Sequence, residues 1–401
     1  MDAVITVIIA VSLLMIMLLM KLPLYIILAV VPVISALIYG GLTFLGHIFI
    51  TAIQSGVTWG LVLNVFAVGW LVSLYRSLLI VDRLGKELSK AFKNDLLALT
   101  IVPGAIGLLP VAGGALMSAP IVDSIGSEVG LSKAKKNFVN VWYRHVLVYV
   151  YPLSSLIIIT ASLFEISIAK LVVDQLIMAA IMFIIGLPII GLKISKRNVK
   201  ANKIMLLRDF SPILSSVLMA FILSPIDEYF PIARISVTIA ALLGIFVFVI
   251  AEKATLSDVK NSFKDVKLWE ITLISFEVMV FRTLFSEMDL SPLVNLIASS
   301  RINKSLLVLV IPLFLSFISG TSSGGIAISA PILQSIVGSS KTIADLVYAS
   351  SFIGYLGSPL HLCFVYSSEY FGVSMKDTYK YMVPASLASL IAAWILSQFI
   401  W

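Results

Sequence analysis

The sequence is poor in cysteine and in recognisable catalytic motifs, and each shortage excludes a class of protein. Cys363 is the only cysteine in 401 residues, so the chain can form neither an intrachain disulfide nor a cysteine metal cluster. It contains no P-loop, no HExxH segment and no cysteine metal motif. ATP hydrolysis and zinc chemistry are therefore without support, and the sequence predicts no cofactor, no metal ligand and no catalytic residue.

Charge is scarce as well, and this shortage identifies the solvent. Asp, Glu, Lys and Arg make up 12% of the residues against 60% apolar residues, and the mean hydropathy is +1.08. One soluble core cannot bury so much apolar surface, so lipid must surround much of the chain. The formal net charge of +7 comes largely from basic residues in short loops between apolar stretches. The positive-inside rule produces this pattern, which predicts no nucleic-acid partner.

Ten apolar stretches are long enough to cross the roughly 30 Å of hydrocarbon in a bilayer. The first, residues 3–20, follows no basic segment and has no convincing cleavage site, which predicts a retained span and not a signal peptide. The other nine cover residues 23–43, 57–80, 137–163, 166–192, 207–226, 231–251, 268–288, 343–366 and 378–400. The sequence thus predicts a multi-pass protein of the plasma membrane.

Two further apolar pieces, residues 96–130 and 305–338, are too short for two complete spans and a turn. Basic residues precede and follow the first piece, so both of its ends lie on the cytoplasmic side. A helical hairpin that enters the membrane partway and returns satisfies length and sidedness together. Such broken backbone is tolerated where protein or a water-filled cavity covers it. We predict a re-entrant helical hairpin in each piece.

The two hairpins contain copies of one motif. The thirteen residues from Gly113 to Ile125 recur from Gly324 to Ile336 at an offset of 211, with eight identities. Each half then holds five transmembrane helices and one hairpin, and an odd number of spans inverts the second half relative to the first. The predicted fold class is an all-α polytopic membrane protein of two inverted repeats with both termini extracytoplasmic. The repeats cover residues 1–192 and 207–401, joined by a cytoplasmic linker at 193–206.

Polar side chains mark the hairpin tip of the second half. The segment from Ser319 to Gly325 combines glycines, which allow close approach, with hydroxyls that donate and accept hydrogen bonds. A helix that begins there points N–H groups and a positive dipole end at an anion, while the carbonyls that end the preceding helix suit sodium. The alternative is packing of small residues in lipid. The candidate binding residues of the hairpins are Gly113, Gly114, Ser118, Thr321, Ser322, Ser323, Gly324 and Ser329.

The spans after the hairpins are interrupted at matching positions. Tyr151-Pro152-Leu153 aligns with Ser358-Pro359-Leu360 at an offset of 207, and a proline removes a backbone donor from its helix. Trp59 and Trp269 are a further pair, at an offset of 210. We predict an unwound coordinating stretch in each half, which adds Ser154 and Ser358 to the candidate binding residues.

Ionisable residues inside predicted spans are functional candidates because their burial in a membrane is costly. Glu277 is the candidate for proton coupling, and a structural pair with Arg282 or another arginine is the alternative. Arg144 suits bidentate binding of a substrate carboxylate, and snorkelling to the cytoplasmic face is its alternative. Asp123 is a candidate cation ligand, against a role in capping a helix end.

One motif points towards an enzyme. The segment from Gly320 to Gly324 fits G-x-S-x-G, and Ser322, Asp345 and His361 follow one another in the order of a hydrolase triad. The nucleophile elbow of such enzymes needs a strand, a turn and a helix, whereas this segment follows an apolar helical stretch. A membrane-embedded serine hydrolase is therefore a minor alternative, and the sequence favours a protein that is not an enzyme.

The two copies of the hairpin motif, the polar tip and the prolines Pro152 and Pro359 together resemble the ion transporter superfamily. This group contains gluconate permeases, arsenite-pump membrane subunits, dicarboxylate symporters and several sodium/proton antiporters. The similarity covers the whole chain and is strongest to an uncharacterised prokaryotic family of ten-span integral membrane proteins.

The resemblance implies an elevator-like alternating-access mechanism. A mobile transport part would comprise residues 96–192 and 305–401, and a scaffold part that forms a homodimer would comprise residues 1–95 and 207–304. With the candidate residues above, the sequence predicts a secondary active transporter of a small anion, an organic carboxylate, in symport with a proton or sodium ion. The second transport hypothesis is a cation/proton antiporter that uses Glu277 and Asp123.

Overall fold

The computed structural model describes residues 3–20, 22–78, 80–88, 90–92, 94–108, 114–191, 201–292, 295 and 303–401. These residues form helices and turns without a regular strand, which confirms the all-α class. In the first half the helices are α1 Ala3–Leu19, α2 Leu24–Gln54, α3 Gly56–Ser77, α4 Ile80–Leu88, α5 Asp95–Gly107, α6 Gly114–Glu128, α7 Lys133–Tyr149, α8 Ser155–Phe164 and α9 Ile168–Ile190. In the second half they are α10 Lys203–Ile222, α11 Ile235–Glu252, α12 Leu256–Ser262, α13 Val266–Glu287, α14 Lys304–Ser319, α15 Ser322–Val337, α16 Lys341–Gly357, α17 Leu362–Phe371 and α18 Met375–Phe399.

Six of these helices, α2, α3, α9, α10, α11 and α18, are long and apolar enough to cross a membrane. They confirm that the chain is a membrane protein. The other four predicted spans also coincide with helices, but α1 has only 17 residues and α13 carries Glu277 and Arg282 within its apolar sequence. The remaining two are interrupted, as the positions of the prolines predict.

The interruptions arise from local chain chemistry. Helix α7 ends at Tyr149 and α8 begins at Ser155, with Pro152 between them. The side chain of Ser154 accepts a hydrogen bond from the amide of Ile157 at 3.2 Å and so caps the new helix. In the second half, Ser358 has extended backbone before a proline, and the helix restarts as α17.

The polar tip of the second half joins two short helices. Helices α14 and α15 have 16 residues each, about 24 Å at 1.5 Å per residue, so neither is as long as the hydrocarbon core is thick. Gly320 ends α14 in the left-handed region at φ 67°, where glycine carries no steric penalty. In the first half α5 and α6 pack on each other in the same way, and residues 109–113 between them lie outside the described residues.

The helices pack as two groups. Helices α1–α4 and α10–α13 contact one another, with α13 lying against both α2 and α3. Helices α5–α9 and α14–α18 form the second group, in which α5 packs on α7 and α14 on α16. The groups meet where α13 contacts α15 and where α3 contacts α8. The functional site is therefore sought along this boundary.

Helices α3 and α13, which correspond to each other in the sequence repeat, run antiparallel. Near the start of α3 the Trp59 indole N–H donates to the carbonyl of Ile53 at 2.7 Å, and near the start of α13 Trp269 donates to Phe263 at 2.8 Å. Each tryptophan thus bonds to the carbonyl six residues before it. Arg76, at the end of α3, pairs with Asp265 beside the start of α13 at 3.1 Å, so the two helices lie in opposite directions.

Three parts of the chain depart from the predicted spans. Helix α2 continues beyond residue 43 to Gln54, with a break at Gly41, whose φ is 71°. Its last part is held by His47, whose ring nitrogen pairs with Glu287 at 2.9 Å. The basic loops predicted before α5 and before α13 contain the short helices α4 and α12. Of the predicted linker at 193–206, residues 193–200 lie outside the described residues.

Gly354 offers a test of the close packing between α14 and α16. A methyl group added at Gly354 would lie 2.1 Å from the carbonyl oxygen of Leu313, whereas one added at Gly357 meets nothing within 4 Å. We expect Gly354→Ala to lower the free energy of unfolding by about 1–3 kcal/mol through overpacking. Gly357→Ala, one turn away, should leave it unchanged. Thermal melts in detergent that coincide for the two variants would contradict this packing.

Candidate functional site

A cavity of about 350 Å³ lies between the two groups of helices. Its wall on the first group is formed by one face of α3, from Val65 to Arg76, and by Ile271 of α13. On the second group, the end of α5, helix α7, the break before α8 and the starts of α15 and α17 line it. Its volume matches that of pockets for small organic molecules.

Arg144 of α7 lies in the wall of this cavity with 4% of its surface exposed. Its Nη1 makes no hydrogen bond, and no carboxylate within the described part of the chain pairs with the guanidinium. The backbone of α5 approaches closely at this level, since a methyl group on Gly107 would lie 2.6 Å from the Arg144 carbonyl. The side chain is buried in the protein. A buried positive charge without a partner is energetically expensive, and an anion in the cavity would supply that partner.

Three helices begin at the same cavity. Ser154 caps α8 and Ser155 is its first residue; Ser322 is the first residue of α15; and Cys363 lies in the first turn of α17. All four residues line the cavity. Helix starts present N–H groups without intrahelical partners and the positive end of the helix dipole. Together with Arg144 they make the cavity electropositive.

A cluster of imidazole, phenol and thiol groups lies beside Arg144. The ring centroids of His145 and His361 are 4.7 Å apart, and those of Tyr355 and His361 are 3.9 Å apart with the rings tilted by 42°. Cys363 is the third metal-type donor, and the three donor atoms lie within 4.8 Å of one another. Sequence reasoning missed this cluster because His145, His361 and Cys363 follow no motif spacing. The signal that was present is composition: the chain has one cysteine and three histidines.

The structure brings three of the predicted binding residues, Arg144, Ser154 and Ser322, to the cavity and places the other described candidates elsewhere. Ser358 donates to the Phe317 carbonyl at 2.6 Å and so ties the break before α17 to α14. The other described candidates that do not line the cavity are Gly114, Ser118, Thr321, Ser323, Gly324 and Ser329. Gly113 lies outside the described residues.

The predicted acidic candidates lie outside the cavity. Glu277 is 8% exposed on α13, and its Oε2 has no hydrogen-bond partner. Its proposed partner Arg282 pairs with Glu165 at 2.5 Å instead, so the pairing alternative is wrong. Asp123 is half exposed and forms an ion pair with Lys136 at 2.7 Å. This pair links α6 to α7, and the Lys136 ammonium occupies the position that a cation bound by Asp123 would take.

The hydrolase triad does not assemble. The carboxylate of Asp345 accepts a hydrogen bond from Gln175 at 2.9 Å, near the start of α16, whereas His361 lies beyond the end of that helix. No strand precedes Ser322, which is the first residue of α15. Ser322 therefore lacks the strand–turn–helix setting of a nucleophilic serine in such enzymes, and the three side chains do not form a Ser–His–Asp hydrogen-bond chain.

A second cavity, of about 690 Å³, lies at the opposite end of α13. The Glu165–Arg282 pair is part of its wall, together with Phe285 on the same helix and Pro331 and Gln334 on α15. None of the predicted binding residues lines it. The cavity that contains Arg144 is therefore the candidate site.

The fold and the sequence have recognisable relatives. The family model described as "Protein of unknown function (DUF401)" matches residues 2–400. The chain is similar to the crystal structure of the YdaH transporter from Alcanivorax borkumensis, with a TM-score of 0.62 and 13% sequence identity over 90% of each chain. At this identity the likeness shows the fold alone. No curated protein matches the chain.

Proposed function

The chain belongs to the DUF401 family, and we propose that it is a secondary active transporter of a small organic carboxylate. Movement of the substrate would be coupled to a proton or sodium gradient. The likeness of its fold to a structure described as a transporter supports the transport role. The main support for an anionic substrate is Arg144, a buried guanidinium that pairs with no carboxylate of the described residues and lies in a cavity where three helices begin.

The lining of the cavity supports an organic anion over an inorganic one. Valine side chains of α3, Leu156 and Ile158 of α8, and Phe352 of α16 form apolar walls around the electropositive region. The carboxylate group of the substrate would accept charge-assisted hydrogen bonds from Arg144, from the Ser322 hydroxyl and from the N–H groups at the helix starts. The apolar remainder of the substrate would contact these walls.

The packing of the helices supports an elevator-like mechanism built on two inverted repeats. The first group of helices, in residues 1–95 and 207–304, is the scaffold, and the second, in 96–192 and 305–401, is the transport part. The antiparallel pair α3 and α13 is the scaffold's inverted core. The helix pairs α5–α6 and α14–α15 serve as re-entrant hairpins, with ten further spans around them. As in the ion transporter superfamily, the scaffolds of two chains would form a homodimer in a prokaryotic plasma membrane, with extracytoplasmic termini.

The depth of the cavity supports an inward-facing state. Ile271 lies five residues after Val266 and sixteen before Glu287 on α13, about 7.5 Å and about 24 Å along the axis. The near end follows a loop rich in lysine, which marks the cytoplasmic side. At the far end the transport part is held to the scaffold by the Glu165–Arg282 pair and by a 3.0 Å hydrogen bond from Arg234 to the Ile166 carbonyl.

Both coupling ions have candidate groups. Glu277 and Asp345 are buried carboxyls without a salt bridge in the described part of the chain, as a proton carrier requires. Buried hydroxyls without a partner, suited to sodium, occur on α14, α15 and α16, namely Ser316, Ser329, Ser350 and Ser351. A cation/proton antiporter remains the second candidate function because of Glu277. It predicts that alkali cations alone dissipate a pH gradient in proteoliposomes.

Ligand-dependent stability tests the proposal. The purified protein would be melted with a panel of carboxylates and inorganic anions, each with and without sodium and at two pH values. A carboxylate present at 100 times its dissociation constant should add about 2.7 kcal/mol to the stability of the folded state. Stabilisation by one carboxylate that requires sodium or low pH identifies the coupling ion. Stabilisation by cations or pH alone favours the antiporter and contradicts the anion proposal.

A further inference from the structure

We propose that His145, His361 and Cys363 form a binding site for one borderline-soft metal ion of the zinc type. Each residue offers one ligand atom, and the three atoms lie within 4.8 Å of one another. The chain contains three histidines and one cysteine, so most of its imidazole and thiol groups converge on this one place. The sequence predicted no metal ligand because the three residues belong to no metal motif. The site lies in the same cavity as Arg144 but uses other side chains, and the metal proposal does not depend on carboxylate binding.

The histidines are oriented as metal ligands are. Nδ1 of His145 lies 2.6 Å from the carbonyl of Val141 and donates its proton there, which leaves Nε2 as the acceptor. The Tyr355 hydroxyl lies 3.4 Å from this Nε2, and a metal ion would replace that long contact. A hydrogen bond from the other ring nitrogen to a carbonyl is the usual way in which proteins fix a metal-binding imidazole.

His361 supplies the second, independent observation. It is fully buried, and neither of its ring nitrogens has a hydrogen-bond partner of normal length and angle. It also makes no capping bond at the start of α17. A buried polar group without a partner is energetically costly, and coordination of a metal would remove this cost.

The three ligand atoms are slightly farther apart than in an occupied zinc site, so they would have to move closer together when the ion binds. Zinc binds nitrogen at about 2.0–2.1 Å and sulfur at about 2.3 Å, so tetrahedral ligand atoms lie about 3.5 Å apart. The present spread of up to 4.8 Å therefore requires an approach of about 1 Å, within the reach of side-chain rotation. His145 lies on α7, whereas His361 and Cys363 lie at the start of α17, so the ion would join the interrupted helices of the two repeats.

The charge balance defines the fourth ligand. The ion binds the thiolate form of Cys363, so one thiol proton leaves and the metal–thiolate unit keeps one positive charge. Arg144, next to His145 in the chain, adds a second positive charge to the same cavity. One chloride or hydroxide in the open fourth position offsets one of these two charges. Because a proton is released, metal affinity should fall as the pH is lowered.

Cobalt binding tests the site without any transport measurement. The detergent-purified protein, free of a histidine tag, would be titrated with Co²⁺ and followed by absorption. We expect one Co²⁺ per chain and a near-ultraviolet cobalt–thiolate charge-transfer band, which Zn²⁺ abolishes. The single cysteine makes the assignment of that band unique.

Matched variants separate the site from adventitious binding. Cys363→Ser should lose the band, and His361→Gln should lose the tight binding, while both keep the melting temperature of the metal-free protein. His47→Gln replaces the histidine that lies outside the cluster and should bind Co²⁺ as the parent does. Absence of the band in the parent protein, or its loss in His47→Gln alone, overturns the metal site. Neither result touches the carboxylate proposal, whose readout is stabilisation by anions in metal-free buffer.

Discussion

Replacing Arg144 with glutamine should weaken carboxylate binding at least about 30-fold while the protein still folds. The free protein leaves this guanidinium buried and without a carboxylate, so its removal relieves the empty cavity of an uncompensated charge. Loss of one partner from a buried, hydrogen-bonded charge pair costs about 2–5 kcal/mol, which is at least about a 30-fold loss of affinity. The measurement is the carboxylate concentration that gives half of the maximal stabilisation, followed by substrate uptake into proteoliposomes.

Two further variants make this result specific. Arg144→Lys keeps the charge but loses the planar fork of donors, so it should retain part of the affinity. Arg208→Gln removes an arginine that is 42% exposed and pairs with Asp209, away from the cavity, and should bind carboxylates normally. If Arg144→Gln binds the carboxylate as tightly as Arg208→Gln does, the site lies elsewhere.

Cys363 should react with a membrane-impermeant thiol reagent from the cytoplasmic face and hardly at all from the outer face. It lines the cavity and is partly exposed, and the cavity lies near the end of α13 that we propose to be cytoplasmic. If about 99% of the molecules face inward, the outer reagent reaches the thiol in only about 1% of them, so labelling is about 100-fold slower. Labelling rates in inside-out and right-side-out vesicles measure the ratio.

The single cysteine supplies its own control, because Cys363→Ser removes every thiol from the chain. A saturating carboxylate should slow labelling from the cytoplasmic face, since it occupies the cavity that the reagent must enter. Glu165→Gln weakens the outer contact between the transport part and the scaffold, and should raise labelling from outside. Equal labelling from both faces in the parent protein would contradict the inward-facing state.

Much of the fold could be predicted because periodic hydrophobicity and prolines act locally. The helices lie where the apolar stretches are, and the breaks before α8 and α17 follow from Pro152 and Pro359. The extension of α2 to Gln54 was missed because its apolar run is interrupted by His47, whose contact with Glu287 is made across 240 residues. Such a contact stabilises a helix that its local sequence does not specify.

The site was predicted only in part, for a related reason. Ser154 and Ser322 could be found because each begins a helix, a local property. Arg144 could be found as a charge in an apolar span, but its burial depends on how α5 packs against α7. The cluster of His145, His361 and Cys363 arises from the meeting of two segments more than 200 residues apart, which no motif records.

The charge of Arg144 also has an electrical consequence. In an elevator-like cycle α7 crosses part of the membrane with the transport part, and the empty cavity then carries one uncompensated positive charge through the transmembrane field. One elementary charge that crosses the whole field gains about 2.3 kcal/mol per 100 mV. A negative interior therefore draws the empty carrier inward, and a bound monocarboxylate cancels that force. The coupled proton or sodium ion restores one positive charge to the loaded cavity, so membrane voltage would act on the empty and the loaded step alike.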